Sequence, residues 1–359
     1  MWRDFIDPKL RDDALTLVDD DLGYTWLTWR DRRLGLADVH KPGDVSWCGN
    51  LREARRAGER SPYDYDEALP AAYWDPAARL EWLDEAGLDA AVCFPNFGLL
   101  WERELSSSLP ALKANMTAWN RWCATVQFEG DDRLHPVAHL TLRDAAWAER
   151  EIAAVANAGV RFAMIAPAPV DGRALSDAAH DRLWSAFVDH GVTPVFHVAD
   201  QPRVFDDCWY TEPDSFVPVV ESVFLYVPPA LAITDMILNG VFDRHPQLRV
   251  GIVELSSIWV PQFLLMLDGG YDFTARLNGR PNVELEMRPS DYVYEHVRIS
   301  SFSYENPARL MKQSGDLYMA CSDFPHSEGT ATPVDDYARA GCDPADMPDL
   351  FAGNVEYLL

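Results

Sequence analysis

The chain has 359 residues, of which 48% are hydrophobic and 13 are tryptophan, so it can bury a large core and is not a disordered polypeptide. Its 57 acidic and 31 basic residues give a net charge of −26, which disfavours nucleic acid or an anionic membrane surface as a partner. The six cysteines are scattered, and neither a signal peptide nor a membrane-length apolar run is visible, which favours a reduced, cytoplasmic setting.

The first 74 residues are predicted to form an irregular N-terminal segment, rich in Trp, Gly, Pro and charge. One hairpin is expected within it, from Leu15 to Val18 and from Tyr24 to Trp29. The stretch from Arg30 to Tyr73 predicts a long surface excursion of the kind that covers a site.

A strand–helix alternation begins at Asp75, where an N-cap residue is followed by proline at the first helical position. The predicted strands are 90–94, 136–142, 160–166, 193–197, 250–254, 297–302 and 317–321. The predicted helices are 77–85, 111–128, 144–159, 177–191, 228–242, 259–277 and 307–313. Because helical crossovers join parallel strands, we predict a single α/β domain over 1–359, a TIM-type (β/α)8 barrel whose first strand is missing or replaced, with its repeats in 75–359. A doubly wound sheet is disfavoured because no Gly-rich phosphate loop follows any strand.

Three of the predicted strands carry a titratable residue at their carboxyl ends: His197 and Glu254 end two of them, and Asp323 closely follows the strand 317–321, with His326 shortly after it. Active sites of parallel barrels are built from residues at the carboxyl ends of the strands. We therefore expect these side chains to form a site.

Each of these residues also has a purely structural interpretation. His197 is either a neutral metal ligand or a core histidine bonded to a backbone carbonyl. Asp323 is a metal ligand, a general base, or the N-cap of a following helix. Glu254 is a ligand, an acid/base group, or the partner of an arginine such as Arg298. His326 could orient Asp323 or a substrate carboxylate.

Several stretches resemble one known family, the amidohydrolase-related TIM-barrel enzymes, which include aminocarboxymuconate-semialdehyde decarboxylase. The stretches are 74–80 with 87–89, 119–122, 195–197, 245–250, 254–261, the Cys-Ser-Asp-Phe-Pro-His element at 321–326, and the Gly-Asn pair at 353–354. The resemblance covers nearly the whole chain.

By that resemblance, His197 is the metal-binding histidine after the fifth barrel strand and Asp323 the aspartate after the eighth, while Glu254 stands where many members carry a catalytic histidine. The family opens with a strand bearing a His-x-His or acid-x-His pair, and residues 1–8 look like the segment just after it. We expect the chain to begin after that strand, in preference to a real loss of ligands. The resemblance implies a divalent metal, zinc in first place and manganese in second, or none if those ligands are absent.

Our hypothesis is a metal-dependent amidohydrolase-like enzyme that acts on a small carboxylated or aromatic substrate, by hydrolysis or by non-oxidative decarboxylation. Asp323, Glu254 and His326 would be the catalytic groups, and His197 and Asp323 the metal ligands. The alternatives are a metal-free barrel acting as a pseudoenzyme or partner subunit, and a metal-independent acid/base lyase. Membership of the family is compatible with a homodimer or homotetramer.

Overall fold

The computed structural model of the protein describes residues 1–21, 25–34, 70–95, 101–198, 203–210, 219–326 and 329–359. Most of the predicted excursion, residues 35–69, lies outside the described residues. The described chain forms two compact units. The first comprises Met1–His139, Asn157–Arg161 and Ser322–Tyr337, and the second comprises Leu140–Ala156, Phe162–Cys321 and Ala338–Leu359.

The first unit contains the predicted hairpin, which is confirmed. Strands β1 (Leu15–Asp19) and β2 (Thr25–Trp29) pair antiparallel, with Leu15 opposite Trp29, and the short β3 (Arg32–Arg33) follows on the other side of β2. Strands β4 (Ala91–Cys93) and β5 (Leu134–His139) pair in parallel.

A long helix, Leu109–Glu129, packs against β5 in the same unit. The indole Nε1 of Trp119 donates a hydrogen bond to the carbonyl oxygen of Val137 at 2.9 Å, which ties the helix to the strand. The helix Pro76–Ala86 begins as predicted, because the carboxylate of Asp75 accepts hydrogen bonds from the first backbone N–H groups.

The second unit is built on five parallel strands: β6 (Phe162–Ile165), β7 (Thr193–Phe196), β8 (Val250–Ile252), β9 (Val297–Ser301) and β10 (Tyr318–Ala320). Every residue of β6 to β9 is buried. Burial on both faces explains why β6, β7 and β8 read as nearly continuous apolar runs instead of alternating ones.

The remaining described α-helices are Trp2–Phe5, Glu102–Leu105, Ala145–Asn157, Asp181–His190, Val219–Val223, Val227–Leu238, Val241–Arg244, Val260–Asn278, Pro289–His296, Pro307–Ser314, Pro333–Arg339 and Asn354–Glu356. Short 3-10 helices occupy Pro8–Asp13, Ala71–Tyr73, Ala178–His180, Asp207–Trp209 and Ser303–Glu305, and Asp349–Gly353 forms a π-helix. The prediction of one helix over 228–242 is wrong, because Gly240 adopts a left-handed conformation (φ 68°) that breaks it in two.

In the second unit the strands follow the order β10-β9-β8-β7-β6, and in the first unit β5 neighbours β4, so within each unit every strand neighbours the preceding one in the chain. This order, with helices between parallel strands, confirms the predicted TIM-type α/β fold. The single domain over 1–359 stays a prediction. Among the described residues, no helix is both long and apolar enough to cross a membrane.

Candidate metal and catalytic site

His197 follows β7 directly and is a buried histidine with only 2% of its side chain exposed. Its Nδ1 lies 2.8 Å from the backbone oxygen of Val198, and its Nε2 lies 2.8 Å from Oε2 of Glu254. Because a carbonyl oxygen only accepts hydrogen bonds, Nδ1 must carry the proton. In the neutral ring, Nε2 is then left as the electron-pair donor that faces Glu254.

This arrangement of His197 and Glu254 requires a positive charge between them. A neutral Nε2 and an ionised carboxylate are both acceptors, and two acceptors at 2.8 Å repel unless a proton or a cation lies between them. A second-shell hydrogen bond from Nδ1 to a carbonyl is also the usual way in which a metal-binding histidine is oriented. The pair therefore suits either a shared proton or a bound metal ion.

Glu254 is held in an uncommon backbone conformation at the end of β8, with φ at 56°, and Ser256 shows φ at 60°. The backbone N–H of Glu254 donates to Oγ of Ser300 at 3.0 Å. Beyond it, Glu305 accepts hydrogen bonds from the hydroxyl groups of Ser256 and Ser257. Left-handed non-glycine residues persist only when the surrounding structure enforces them, and they concentrate at functional sites.

Asp323 is the second site residue with a left-handed backbone, with φ at 52°. Its Oδ1 lies 3.2 Å from Nδ1 of His326, and its backbone oxygen accepts a hydrogen bond from the His326 N–H at 2.8 Å. A Cβ added to Gly329 would lie 2.2 Å from that same backbone oxygen. The turn that presents Asp323 and His326 thus depends on glycine at position 329.

Two pairs of predicted residues are brought together, one in each unit. In the second unit His197 contacts Glu254, and in the first unit Asp323 contacts His326. Imidazole nitrogens and carboxylate oxygens are the donor set that zinc and manganese accept, so the residues fit a divalent ion.

Two structural alternatives from the sequence are wrong. Arg298 does not pair with Glu254, because its Nε donates to Oδ1 of Asn354 at 2.7 Å and its guanidinium lies 4.0 Å from the ring centroid of Tyr357. Asp323 is not a helix N-cap, because a turn and not a helix follows it. The metal and catalytic roles of His197, Glu254, Asp323 and His326 stay predictions.

The sequence reasoning missed Glu102, and it left His139 without a role. His139 ends β5 with 2% of its side chain exposed, and its Nε2 lies 3.9 Å from Oε2 of Glu102, of which 5% is exposed. The side chain of Asn120 bonds both the N–H and the carbonyl oxygen of His139, which fixes the end of the strand. The position of His139 at the end of a buried strand was a sequence signal for a functional residue. Glu102 lies on a short helix that contains no motif, so no sequence signal marked it.

The fold and the His197–Glu254 pair define the class of protein: a TIM-type barrel with an imidazole–carboxylate pair suited to a divalent metal. A sequence model of the amidohydrolase family matches residues 65–293. The chain therefore belongs to the amidohydrolase family. No curated protein matches the chain significantly.

Solved structures of other proteins share this fold. An amidohydrolase from Mycobacterium avium subsp. paratuberculosis has a TM-score of 0.80 and 23% identity, over 100% of this chain and 94% of that one. A 5-carboxyvanillate decarboxylase from Sphingomonas paucimobilis has a TM-score of 0.63 and 18% identity, over 78% and 81%. A dihydroxybenzoic acid decarboxylase from Polaromonas sp. JS666, solved with manganese and the inhibitor 2-nitroresorcinol, has a TM-score of 0.61 and 16% identity, over 78% and 84%.

Proposed function

We propose that the protein is a divalent-metal-dependent enzyme that removes a carboxyl group from a small aromatic acid without oxidation. The observation that carries the proposal is the His197–Glu254 contact. With Nδ1 committed to a carbonyl, Nε2 faces a carboxylate oxygen at 2.8 Å, in a position that a cation stabilises.

His197 and Asp323 are the residues that would hold the metal, which is the set that the family resemblance implies. A bound divalent ion would supply Lewis-acid stabilisation of the oxygen atoms of the substrate. Manganese is the first ion to test, because the Polaromonas structure contains it. Zinc remains the second candidate, since its ligand preferences also match imidazole and carboxylate.

The protein's own part in the reaction is to position the substrate and to deliver a proton. In decarboxylation the ring carbon that bears the carboxylate takes a proton, the carbon–carbon bond breaks, and the electrons of that bond return to the ring as CO2 leaves. Glu254 and His326 are acids of suitable type, so one of them would supply that proton. Asp323 contacts His326 and keeps its ring in place.

Decarboxylation is favoured over hydrolysis because two of the structural relatives are decarboxylases of aromatic acids. Hydrolysis and decarboxylation can use the same groups, namely a carboxylate, an imidazole and a metal. The relatives therefore decide which substrates are tested first.

The test uses metal-stripped protein to which Mn²⁺ or Zn²⁺ is returned. 5-Carboxyvanillate and a dihydroxybenzoate are offered as substrates, and CO2 release is measured. We expect metal-dependent turnover that His197→Ala and Asp323→Asn reduce by at least about 100-fold, because both ligands are needed to position the substrate. The exposed residues His190 and Asp189 provide matched controls, and His190→Ala and Asp189→Asn should retain wild-type turnover.

Turnover that survives chelation would refute the metal role. Equal metal content and equal turnover in wild type, His197→Ala and Asp323→Asn would refute the assigned site. Hydrolysis of an amide or ester analogue in the absence of CO2 release would refute the reaction while leaving the site in place.

A further inference from the structure

The helix Val260–Asn278 of the second unit exposes an apolar stripe. Its members Met266, Gly270, Phe273 and Leu277 are exposed and lie four, three and four residues apart. This spacing places the four residues along one face of the helix, and it is the spacing of the seam of a coiled coil. The three large side chains are 56% to 69% exposed. The outward face of a surface helix normally carries polar and charged residues, so this face is unusual.

The opposite face of the same helix packs within the unit. Its buried residues are Val260, Leu264 and Leu267, and the carboxylate of Asp268 accepts a hydrogen bond from the backbone N–H of Ser290 at 2.9 Å. The exposed stripe is therefore not needed to hold the helix in place. A helix that is apolar on both faces is typical of one that is covered on both faces.

The apolar surface continues at the N-terminal end of this helix. Trp259, the residue before the helix, stacks on Tyr226 with ring centroids 5.9 Å apart, and the ring of Tyr226 lies 6.5 Å from that of Phe224. Phe224 directly follows the helix Val219–Val223. The exposed apolar side chains of the stripe and of this extension are Val219, Val223, Phe224, Ile258, Leu265, Met266, Phe273 and Leu277.

The area of this surface matches what a stable dimer needs. The eight side chains are 39% to 77% exposed. Because a fully exposed side chain of these types carries about 60 to 120 Å² of apolar surface that burial removes from water, together they offer about 300 to 600 Å². With non-polar atoms forming about 56 to 65% of an interface, the covered surface is about 500 to 1,000 Å² per copy. Stable complexes bury about 800 Å² per partner.

The charges along the stripe favour a second copy of this chain as the partner. Two copies with a net charge of −26 repel one another through most of their surfaces. The two acids of the helix, Asp268 and Asp272, pair with Arg288 of their own chain. Among the exposed residues of the helix between positions 262 and 277, the single charged one is Arg276. Two copies that meet along the stripe thus bring the least negative charge together.

The order of residues in the stripe suits a two-fold axis. A two-fold interface uses the same patch on both copies, so the patch must complement itself. An antiparallel helix pair with its axis between positions 269 and 270 sets Met266 opposite Phe273 of the second copy, because each lies about 5 Å along the helix from the axis. Gly270 then lies at the crossing, where the absence of a side chain permits a close approach of the two backbones.

We propose that the stripe and its extension form a homodimer interface, in which the two copies of the helix Val260–Asn278 cross antiparallel at Gly270. These residues are distinct from the His197–Glu254 pair and from Asp323 and His326. Loss of the dimer and loss of metal-dependent turnover are therefore separate outcomes.

Sedimentation velocity of the full chain at micromolar concentrations tests the interface. We expect the wild type to sediment with twice the chain mass of 40.5 kDa. Phe273→Glu would bury an unpaired carboxylate and should raise the dissociation constant of the dimer by at least about 100-fold. Gly270→Leu keeps the surface apolar but blocks the crossing, so it should cause a similar loss. A patch that is only adhesive would instead bind more tightly in Gly270→Leu.

The matched control is Phe128→Glu, which removes an 88% exposed aromatic ring from the helix Leu109–Glu129 and should sediment as the wild type does. Folding of each variant is checked by its melting temperature, and if Phe273→Glu does not fold, Gly270→Leu decides. A monomeric wild type, or a wild-type dissociation constant in Gly270→Leu, would overturn the proposal. An assembly of any size that keeps its mass in both variants would overturn it as well.

Cysteine cross-linking tests the antiparallel register. Met266→Cys and Phe273→Cys are made separately in a Cys208→Ser background, which removes an exposed thiol. Helix axes about 8 to 10 Å apart bring facing Cα atoms within the range of a disulfide. After the two variants are mixed and equilibrated, the interchain disulfide should form at least about 10-fold faster than in either variant alone. Equal rates in the mixture and in the separate variants would refute this register.

Discussion

Gly329→Ala is the sharpest single test of how the Asp323 turn is built. A Cβ at position 329 would lie 2.2 Å from the backbone oxygen of Asp323 and 2.9 Å from that of Ser322. An ordinary contact between carbon and a carbonyl oxygen is about 3.3 Å, so the two segments must separate by about 1 Å. Both contacts are to backbone, which cannot rotate away as a side chain can.

The movement has two expected consequences. Forcing an added methyl group into a packed turn costs about 1 to 3 kcal/mol of the free energy of unfolding. It also displaces Asp323, which accepts a backbone hydrogen bond from His326 through the oxygen that the methyl group would push. A misplacement of about 1 Å at a reacting site lowers activity by about 100-fold.

The assay compares Gly329→Ala with Gly269→Ala. Gly269 lies in the helix Val260–Asn278, and a Cβ there meets no atom within 4 Å. Alanine at that position should stabilise the protein by up to about 1 kcal/mol, because alanine is the better helix former. Denaturant unfolding gives the stability, and calorimetry with Mn²⁺ gives the affinity of the site.

We expect Gly329→Ala to lose stability and to bind Mn²⁺ at least about 10-fold more weakly, with both properties retained in Gly269→Ala. If Gly329→Ala binds Mn²⁺ as the wild type does and unfolds at the same denaturant concentration, the close approach does not shape the site and the reasoning is wrong. A loss of stability with unchanged metal affinity would mean that Asp323 is not a ligand.

Three further predictions follow from other contacts. Glu254→Gln should weaken Mn²⁺ binding by about 10- to 100-fold in calorimetry, since it removes a charged partner of a metal-binding histidine, and an unchanged affinity would contradict that role. Burial and a hydrogen bond to Asp349 raise the pKa of Asp316 in the folded protein. The protonated carboxyl group therefore stabilises the fold, and this stabilisation is lost as the pH rises through the raised pKa. Asp316→Asn should therefore melt higher than wild type at pH 8, and the difference should vanish as the pH falls towards the ordinary aspartate value of 3.8; a gap that grows in acid would contradict this. Burial and the Asp243 carboxylate raise the pKa of Tyr292 to about 12. The protonated phenol therefore contributes fully to the free energy of unfolding below pH 10, and this contribution is lost between pH 10 and about 12. Tyr292→Phe should be less stable than wild type by about 1 to 3 kcal/mol at pH 7 and should lack the alkaline loss in denaturant titrations.

The sequence by itself determined the order of the parallel strands and the region in which the site strands end. His197 directly follows β7 and Glu254 lies just beyond β8, because burial on both faces leaves an apolar pattern that a polar residue then interrupts. Local chemistry also determined helix starts, as at Asp75, since an N-cap acts on the N–H groups two and three residues ahead.

Only the tertiary structure decided which side chains meet. The contact between His197 and Glu254 and that between His139 and Glu102 join residues that are far apart in the chain, and no local pattern encodes such pairs. For the same reason the sequence allowed Glu254 an arginine partner that the fold gives to Asn354 instead.

The tertiary structure also decided the backbone of the site. Glu254 and Asp323 adopt positive φ although neither is glycine, so propensity alone assigns them an ordinary conformation. The hydrogen bond from Glu254 to Ser300 exists only once distant segments have packed. The hydrogen bond within the 323–326 turn is local, and it accompanies the left-handed conformation of Asp323.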